Sequence, residues 1–296
     1  MYGTQPEDSK WSNIFFFLVM LFIAVMCVWS IISSRKWEKK KEAMLYVYNS
    51  AQHSTEKPVA TKGTDALLMQ KMTDGTRSQV LQRKAYVVSY NADYRIPNWV
   101  AWKLTAAHTR GDVRRDEMVF SEDYEADGPR VNTNDYMRSR YDRGHMCPAG
   151  DNKWDTEAME QTFLLTNVCP QHPHLNVEDW NRLEQQTRLW ARHYGAVYVV
   201  CGPIVNKQNH RTIGRHKVAV PEKFFKVVMR NNGDMAALGF IFANNGTNQP
   251  IAQRVVSVDS IEALTGMDFF SALPDEVETR IEASAKKSAW KWDRID

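Results

Sequence analysis

The sequence has no glycine-rich loop of the kind that cradles phosphates and no serine-centred nucleophile elbow. Those absences set aside nucleotide-cradling folds and serine hydrolases. Cysteine is scarce: Cys27, Cys147, Cys169 and Cys201 are all there is, with no C-x-x-C spacing. That excludes a disulfide-stapled scaffold. Charge of one sign is also lacking, with 38 Lys and Arg against 35 Asp and Glu. A net +3 permits an anionic partner without demanding one, so any basic surface must come from local clustering. There is no internal repeat. Apolar residues are plentiful, at 43% of 296, enough to bury the core of one large domain or two small ones.

Taken in order, residues 1–13 form a polar tail. Ile14 to Ile32 is apolar apart from one serine, with Trp11 and Trp29 near its ends, so 14–33 reads as a transmembrane anchor. A cleavable signal peptide is the rival reading. It lacks a basic n-region and an A-x-A site, and its apolar run is too long. The basic flank Arg35 to Lys41 places the rest of the chain in the cytoplasm by the positive-inside rule. Residues 34–84 read as a polar tether. The folded body is expected over 85–275, and a C-terminal helix over 276–296, opened by Pro274 and ending near Trp292.

Within the body, Ala85 to Asn91, Trp99 to Thr109, Ala196 to Val205, Phe224 to Arg230 and Met235 to Asn244 carry β-rich patterns. Trp99 to Thr109 alternates as a half-buried strand does. Asn231-Asn232-Gly233 marks a hairpin. Strands and helices come in blocks, so the fold class is α+β with a mainly antiparallel central sheet.

Chemistry concentrates between Tyr141 and Arg192. His145 follows Arg143 and Gly144. A fixed cation nearby depresses a histidine's pKa and favours the neutral, proton-accepting ring. That suits a general base; a hydrogen-bonded structural histidine is the plainer reading. Asn167 and Asn176 offer neutral, hard oxygens of the kind a hydrated Mg²⁺ accepts. Asn176 also stands where a helix N-cap belongs. Asn176, Trp180 and Glu184 step at i, i+4 and i+8 along one helix face. Glu184 is either an outer partner of an ion's waters or an ordinary i+4 partner of Arg188. Arg138, Arg140 and Arg143 suggest a phosphate-containing substrate. The residues alone reach only as far as metal-assisted hydrolysis.

At Asp142-Arg143-Gly144-His145, the sequence resembles the DNA/RNA non-specific endonuclease family, endonuclease G-like nucleases of the ββα-metal (His-Me finger) class. Thr166 to Gln171, Leu175 to Glu184 and Gly202-Pro203 follow in the family's order. The resemblance covers Ala85 to Pro274. It implies that His145 ends one strand, Asn167 lies on the next and a helix closes the site. It implies His145 as general base and Asn176 as the direct ligand of Mg²⁺, or Mn²⁺ in its place. Arg143, Asn167 and Glu184 would support the water network and the phosphate, with Arg140 as a further substrate contact. An upstream phosphate-binding arginine maps onto Arg114 or Arg115, with Arg115 preferred. The activity implied is sugar-non-specific cleavage of DNA and RNA to 5′-phosphate products. DNA and RNA are then the substrates, and a homodimer is an implied partner.

Some readings stay open at this point. Cys147 and Cys169 could pack, form a disulfide, or hold zinc with His172 or His174. A membrane-tethered nucleic-acid-binding protein without turnover is the alternative to the enzyme. A nuclease is toxic beside a genome, so an extracytoplasmic or periplasmic catalytic domain is expected on a single-pass membrane anchor, against the positive flank.

Overall fold

The computed structural model describes residues 65–293, together with Met20 and Met26. Apart from Met20 and Met26, the anchor expected at 14–33 lies outside the described residues, as does the first part of the tether. Among those described, no helix is long and apolar enough to cross a membrane.

The organising element is a seven-stranded, wholly antiparallel sheet. Its strands are β2 (Gln79–Gln82), β3 (Val87–Asn91), β4 (Ile96–Thr105), β7 (Ala196–Ile204), β10 (Lys223–Arg230), β11 (Ala236–Ala243) and β12 (Val255–Val256). Spatial order is β12-β11-β10-β7-β4-β3-β2. The remaining strands form three small pairs. These are β1 (Lys71–Met72) with β13 (Met267–Asp268), β5 (Asp142–His145) with β6 (Val168–Gln171), and β8 (Arg211–Ile213) with β9 (Val218–Val220). The fold is therefore mixed α and β around a central antiparallel sheet.

Both faces of that sheet are covered. Successive side chains of a strand point to opposite faces, and here both sets are apolar. Val100, Trp102, Leu104, Val197, Val199 and Cys201 enter one core. Trp99, Ala101, Tyr198, Val200, Phe225 and Val227 enter another. The expected half-buried β4 is thus buried on both sides over most of its length. Burying each such large side chain stabilises the fold by about 1.5–3 kcal/mol.

The first face is covered by the β5–β6 hairpin and by helix α2 (Trp180–Tyr194), which follows the short α1 (Thr156–Thr162) along the chain. The second is covered by α3 (Val258–Thr265) and α4 (Asp275–Glu282). α2 stops at Gly195, whose φ of 84° suits a residue without Cβ. Ser257 caps α3 by accepting from Ser260 N–H. α4 is shorter than expected. It ends at Glu282, and the chain then returns to the first face as a 3-10 turn at Lys287–Ala289. Trp290 and Trp292 pack on Trp190 there, with ring centroids 4.7 and 5.2 Å away.

The folded body also begins earlier than expected. β1 and β2 fall in the stretch read as a tether. Arg83, in the same stretch, pairs with Asp123 at 2.6 Å, and both side chains are buried. Asp123 accepts in addition from Thr166 Oγ1 at 2.6 Å. The polar composition of this stretch concealed a buried ion pair.

Candidate active site

The β5–β6 hairpin carries the first site residue. Asp142 pairs with Gln171, Gly144 with Cys169 and His145 with Val168. Gly144 is required here by its neighbour across the hairpin: a Cβ would lie 2.3 Å from Gln171 Oε1. His145 ends β5, as expected. Asn244 anchors the hairpin's far strand by accepting from His172 N–H (2.7 Å) and donating to Pro170 O (3.0 Å).

The next residues begin a helix. His172, not Asn176, caps it. His172 Nδ1 accepts from His174 N–H, and Asn176 N–H already donates to His172 O. Leu175–Asp179 is a π-helical turn, closed by Trp180 N–H to Leu175 O. The extra residue in that turn changes which side chains share a face. Trp180, expected beside Asn176 and Glu184, turns into the core. Asn176, Asn181, Glu184 and Arg188 instead line one cleft.

That cleft has a volume of about 680 Å³. His145 and Arg115 line it from the other elements. A second hollow of about 470 Å³ shares Arg115 and Asn176 with it and adds Arg143, Tyr141 and Phe120. Arg115 and Asn176 therefore stand where the two hollows meet.

His145 is held between aromatic rings, with Phe120 at 5.0 Å and Phe163 at 4.8 Å between centroids. The Arg143 guanidinium lies 4.6 Å over the Phe120 ring. His145 Nε2 is buried and has no hydrogen-bond partner. Burial, with the charges of Arg115 and Arg143 adding to it, pushes the ring's pKa down to about 3. The ring is neutral at physiological pH. Arg143 acts in the expected direction, but desolvation is the larger cause.

Asn176 Nδ2 donates to Asp142 Oδ2 at 3.0 Å. That bond fixes which end of the amide faces where. Its Oδ1 accepts no hydrogen bond from the described residues. Asp142, the first residue of the DRGH stretch, had no role assigned from the sequence. Beneath the cleft, Arg188 Nη1 bonds Asp151 Oδ1 (2.9 Å), and Trp102 Nε1 donates to Asp151 Oδ2 (3.0 Å). Arg188 is thus the partner of Asp151 rather than a simple i+4 partner of Glu184. Burial pushes the Glu184 carboxyl up, while the charges of Lys226, Arg188 and Arg115 oppose it. Lys226 itself is buried, its ammonium 4.1 Å over the Trp180 ring. Nothing in the pattern of β10 marks Lys226 as interior, because a lysine between apolar residues reads as a solvated position.

Two expected placements, those of Asn167 and Arg140, need correction. Asn167 lies in a 3-10 turn just before β6 and lines neither hollow. Its Oδ1 accepts from Cys147 N–H, and its Nδ2 donates to Cys147 O and Thr162 O. With both ends of the amide bonded to backbone and the side chain fully buried, it braces the loop that follows His145. Arg140 is exposed, on a left-handed backbone position with φ 68°, and also lines neither hollow. Cys147, Cys169 and Cys201 are buried free thiols. Cys169 faces Gly144 across the hairpin, not Cys147. Packing is their role, and no Cys-His cluster suited to zinc occurs among the described residues. Both upstream arginines line the cleft, but Arg114 is tied to Asp116 (Nε to Oδ1, 3.1 Å), which leaves Arg115 as the one without an acidic partner among the described residues.

The profile of the DNA/RNA non-specific endonuclease family matches residues 64–276. The chain is similar to human mitochondrial endonuclease G, with 35% identity over 206 residues, 65% of this chain and 69% of the relative. A Nostoc nuclease is 33% identical over 218 residues, 69% of this chain and 77% of the relative. A protein solved in the EndoG/EndoGI complex has 31% identity and a TM-score of 0.63, with 67% of this chain and 87% of that one covered. The expected membrane location is overturned. Several relatives matched by this chain, human endonuclease G and zebrafish EXOG among them, are mitochondrial nucleases by name. The single-pass anchor, the membrane as partner and the extracytoplasmic catalytic face are withdrawn. With the family profile spanning most of the chain and the DRGH histidine standing in a polar cleft, the chain belongs to the DNA/RNA non-specific endonuclease family and is an endonuclease.

Proposed function

We propose that this endonuclease hydrolyses phosphodiester bonds of both DNA and RNA, depends on a divalent cation such as Mg²⁺, and leaves 5′-phosphate ends. The observation that carries this reading is the convergence of His145, Asn176, Glu184 and Arg115 on one cleft.

His145 serves as the general base. A water attacks phosphorus, its proton passes to the imidazole, and the bond to the 3′-oxygen breaks. The ring is neutral in the free enzyme, so it is ready to accept. A bound phosphate offsets the charges of Arg115 and Arg143, and the ring's proton affinity rises when substrate arrives. Arg115 and Arg143 hold the phosphate and stabilise the charge that builds on its equatorial oxygens. Because these contacts reach backbone and not base edges, sequence and sugar are read weakly.

Asn176 suits a hydrated Mg²⁺. Its Oδ1 is a neutral hard oxygen at the cleft, and Asp142 holds the other end of the amide. Glu184 lies within the same cleft as an acceptor for the ion's waters. Such an ion would stabilise charge on the leaving oxygen. Incubating plasmid and RNA with the protein and Mg²⁺, then with EDTA, tests the reading. Both substrates should be degraded, and EDTA should stop the reaction. Degradation that continues in EDTA, or loss of only one nucleic acid, would count against it.

A further inference from the structure

On the second face of the sheet, α3 and α4 bring three carboxylates together. Asp259 and Glu262 lie three residues apart on α3, and Glu282 ends α4. One oxygen from each falls within 4.8 Å of the others. Glu282 is only 4% exposed, and its Oε1 is buried without a hydrogen-bond partner. The charges that act on it most are all negative: Glu262, Glu278, Asp259 and Asp268. Glu262 Oε1 also accepts from Phe269 N–H at 2.9 Å, which fixes that carboxylate in place.

A buried carboxylate among other carboxylates needs either a proton or a cation. Three converging oxygens of this kind form a hard-ligand set. Their spacing lets all three oxygens reach a single ion at about 2.4 Å, the distance usual for Ca²⁺. Ca²⁺ also tolerates an irregular ligand set completed by water, whereas Mg²⁺ demands near-octahedral geometry. We propose that Asp259, Glu262 and Glu282 form a second divalent-cation site of the calcium class, on the face of the sheet opposite the nuclease cleft. Its role is structural. The ion fastens α4 to α3 and neutralises the acidic cluster they form. It stands independently of how the cleft works.

Thermal unfolding of the full chain near neutral pH, with Ca²⁺ as the only added metal, tests this. Wild type and Asn176→Ala should both gain several degrees in Tm at millimolar Ca²⁺. The double variant Glu262→Gln/Glu282→Gln should gain nothing, while without metal it should be at least as stable as wild type. If that variant does not fold, the exposed Asp259→Asn should weaken Ca²⁺ binding at least tenfold by calorimetry. No Ca²⁺ response in wild type, a response kept by the double variant, or unchanged affinity in Asp259→Asn would overturn the site. A response lost in Asn176→Ala alone would place the ion in the cleft and overturn it equally. Stabilisation of Glu282→Gln at high pH without any Ca²⁺ response would make a proton the occupant, which also refutes the proposal.

Discussion

Glu184 and Glu282 are both carboxyls drawn out of water, on opposite faces of one sheet, and their neighbours differ in sign. Around Glu184 stand Lys226, Arg188 and Arg115, which work against the effect of burial, with Asp151 the one acid that adds to it. Around Glu282 stand four acids, which add to it, and its pKa rises to about 9. A cluster of cations opposes the protonation that burial favours. A cluster of acids keeps one protonated, or holds a cation. The nuclease face has assembled the first arrangement, and the far face has assembled the second. Changes on the first should therefore appear in the rate, and changes on the second in stability and its dependence on pH or Ca²⁺.

The largest departure on the nuclease face, apart from His145 itself, should come from Arg115. Arg115→Ala should lower plasmid cleavage by about 10²–10³-fold, the usual loss when a donor to a developing anion is removed. It should also raise the His145 pKa measured by NMR, because one of its two depressing charges is gone. An unchanged histidine titration would separate Arg115 from the cleft's electrostatics.

Next in size is the ion pair below the cleft. Asp151→Ala leaves Arg188 without its partner and Trp102 Nε1 without an acceptor. Losing one member of such a buried pair costs about 3–5 kcal/mol. Denaturant unfolding should show this as a lower midpoint with the slope unchanged. A loss confined to activity, with stability intact, would contradict a structural role for the pair.

The pH dependence separates the two faces most finely. His145 has a folded pKa near 3, below its ordinary 6.5. The unfolded chain then binds the extra proton, so His145 contributes stability above 6.5 that is lost as pH falls toward 3. Glu282 has a folded pKa near 9, above its ordinary 4.5. The folded chain then holds the extra proton, so stability is lost as pH rises from 4.5 through 9. In metal-free buffer, Glu282→Gln should flatten the alkaline side and leave the cleavage rate unchanged. His145→Gln should flatten the acid side. Stability curves that respond in the opposite sense would show that these charges are misassigned.

Much of this fold is legible in the sequence because its signals are local. The β-patterns of β3, β4, β7, β10 and β11 fall where the strands form. The DRGH stretch forms a short strand that ends at His145, as the resemblance implies. What could not be read is contextual. An asparagine amide bonds backbone as well as it bonds a hydrated ion, so Asn167 looked like part of the water network when it braces Cys147 and Thr162. A π-turn leaves no mark in periodicity, so Trp180 appeared to share a face with Asn176 and Glu184. Polar residues between 34 and 84 read as tether, although Arg83 pairs with Asp123 inside the fold. Lys226 and Glu282 are buried charges at positions that local patterning assigns to solvent. For Arg83 and Glu282 a partner far along the chain decides the environment.

The cleft's central claim is that His145 is the base that activates water. Its most direct test is the rate of supercoiled-plasmid nicking by wild type and by His145→Ala under the same Mg²⁺ concentration, with the product ends labelled. The account predicts a fall of about 10²–10⁴-fold for the variant, the usual contribution of a general base, with 5′-phosphate ends from the wild type. Equal rates for the two proteins would contradict it.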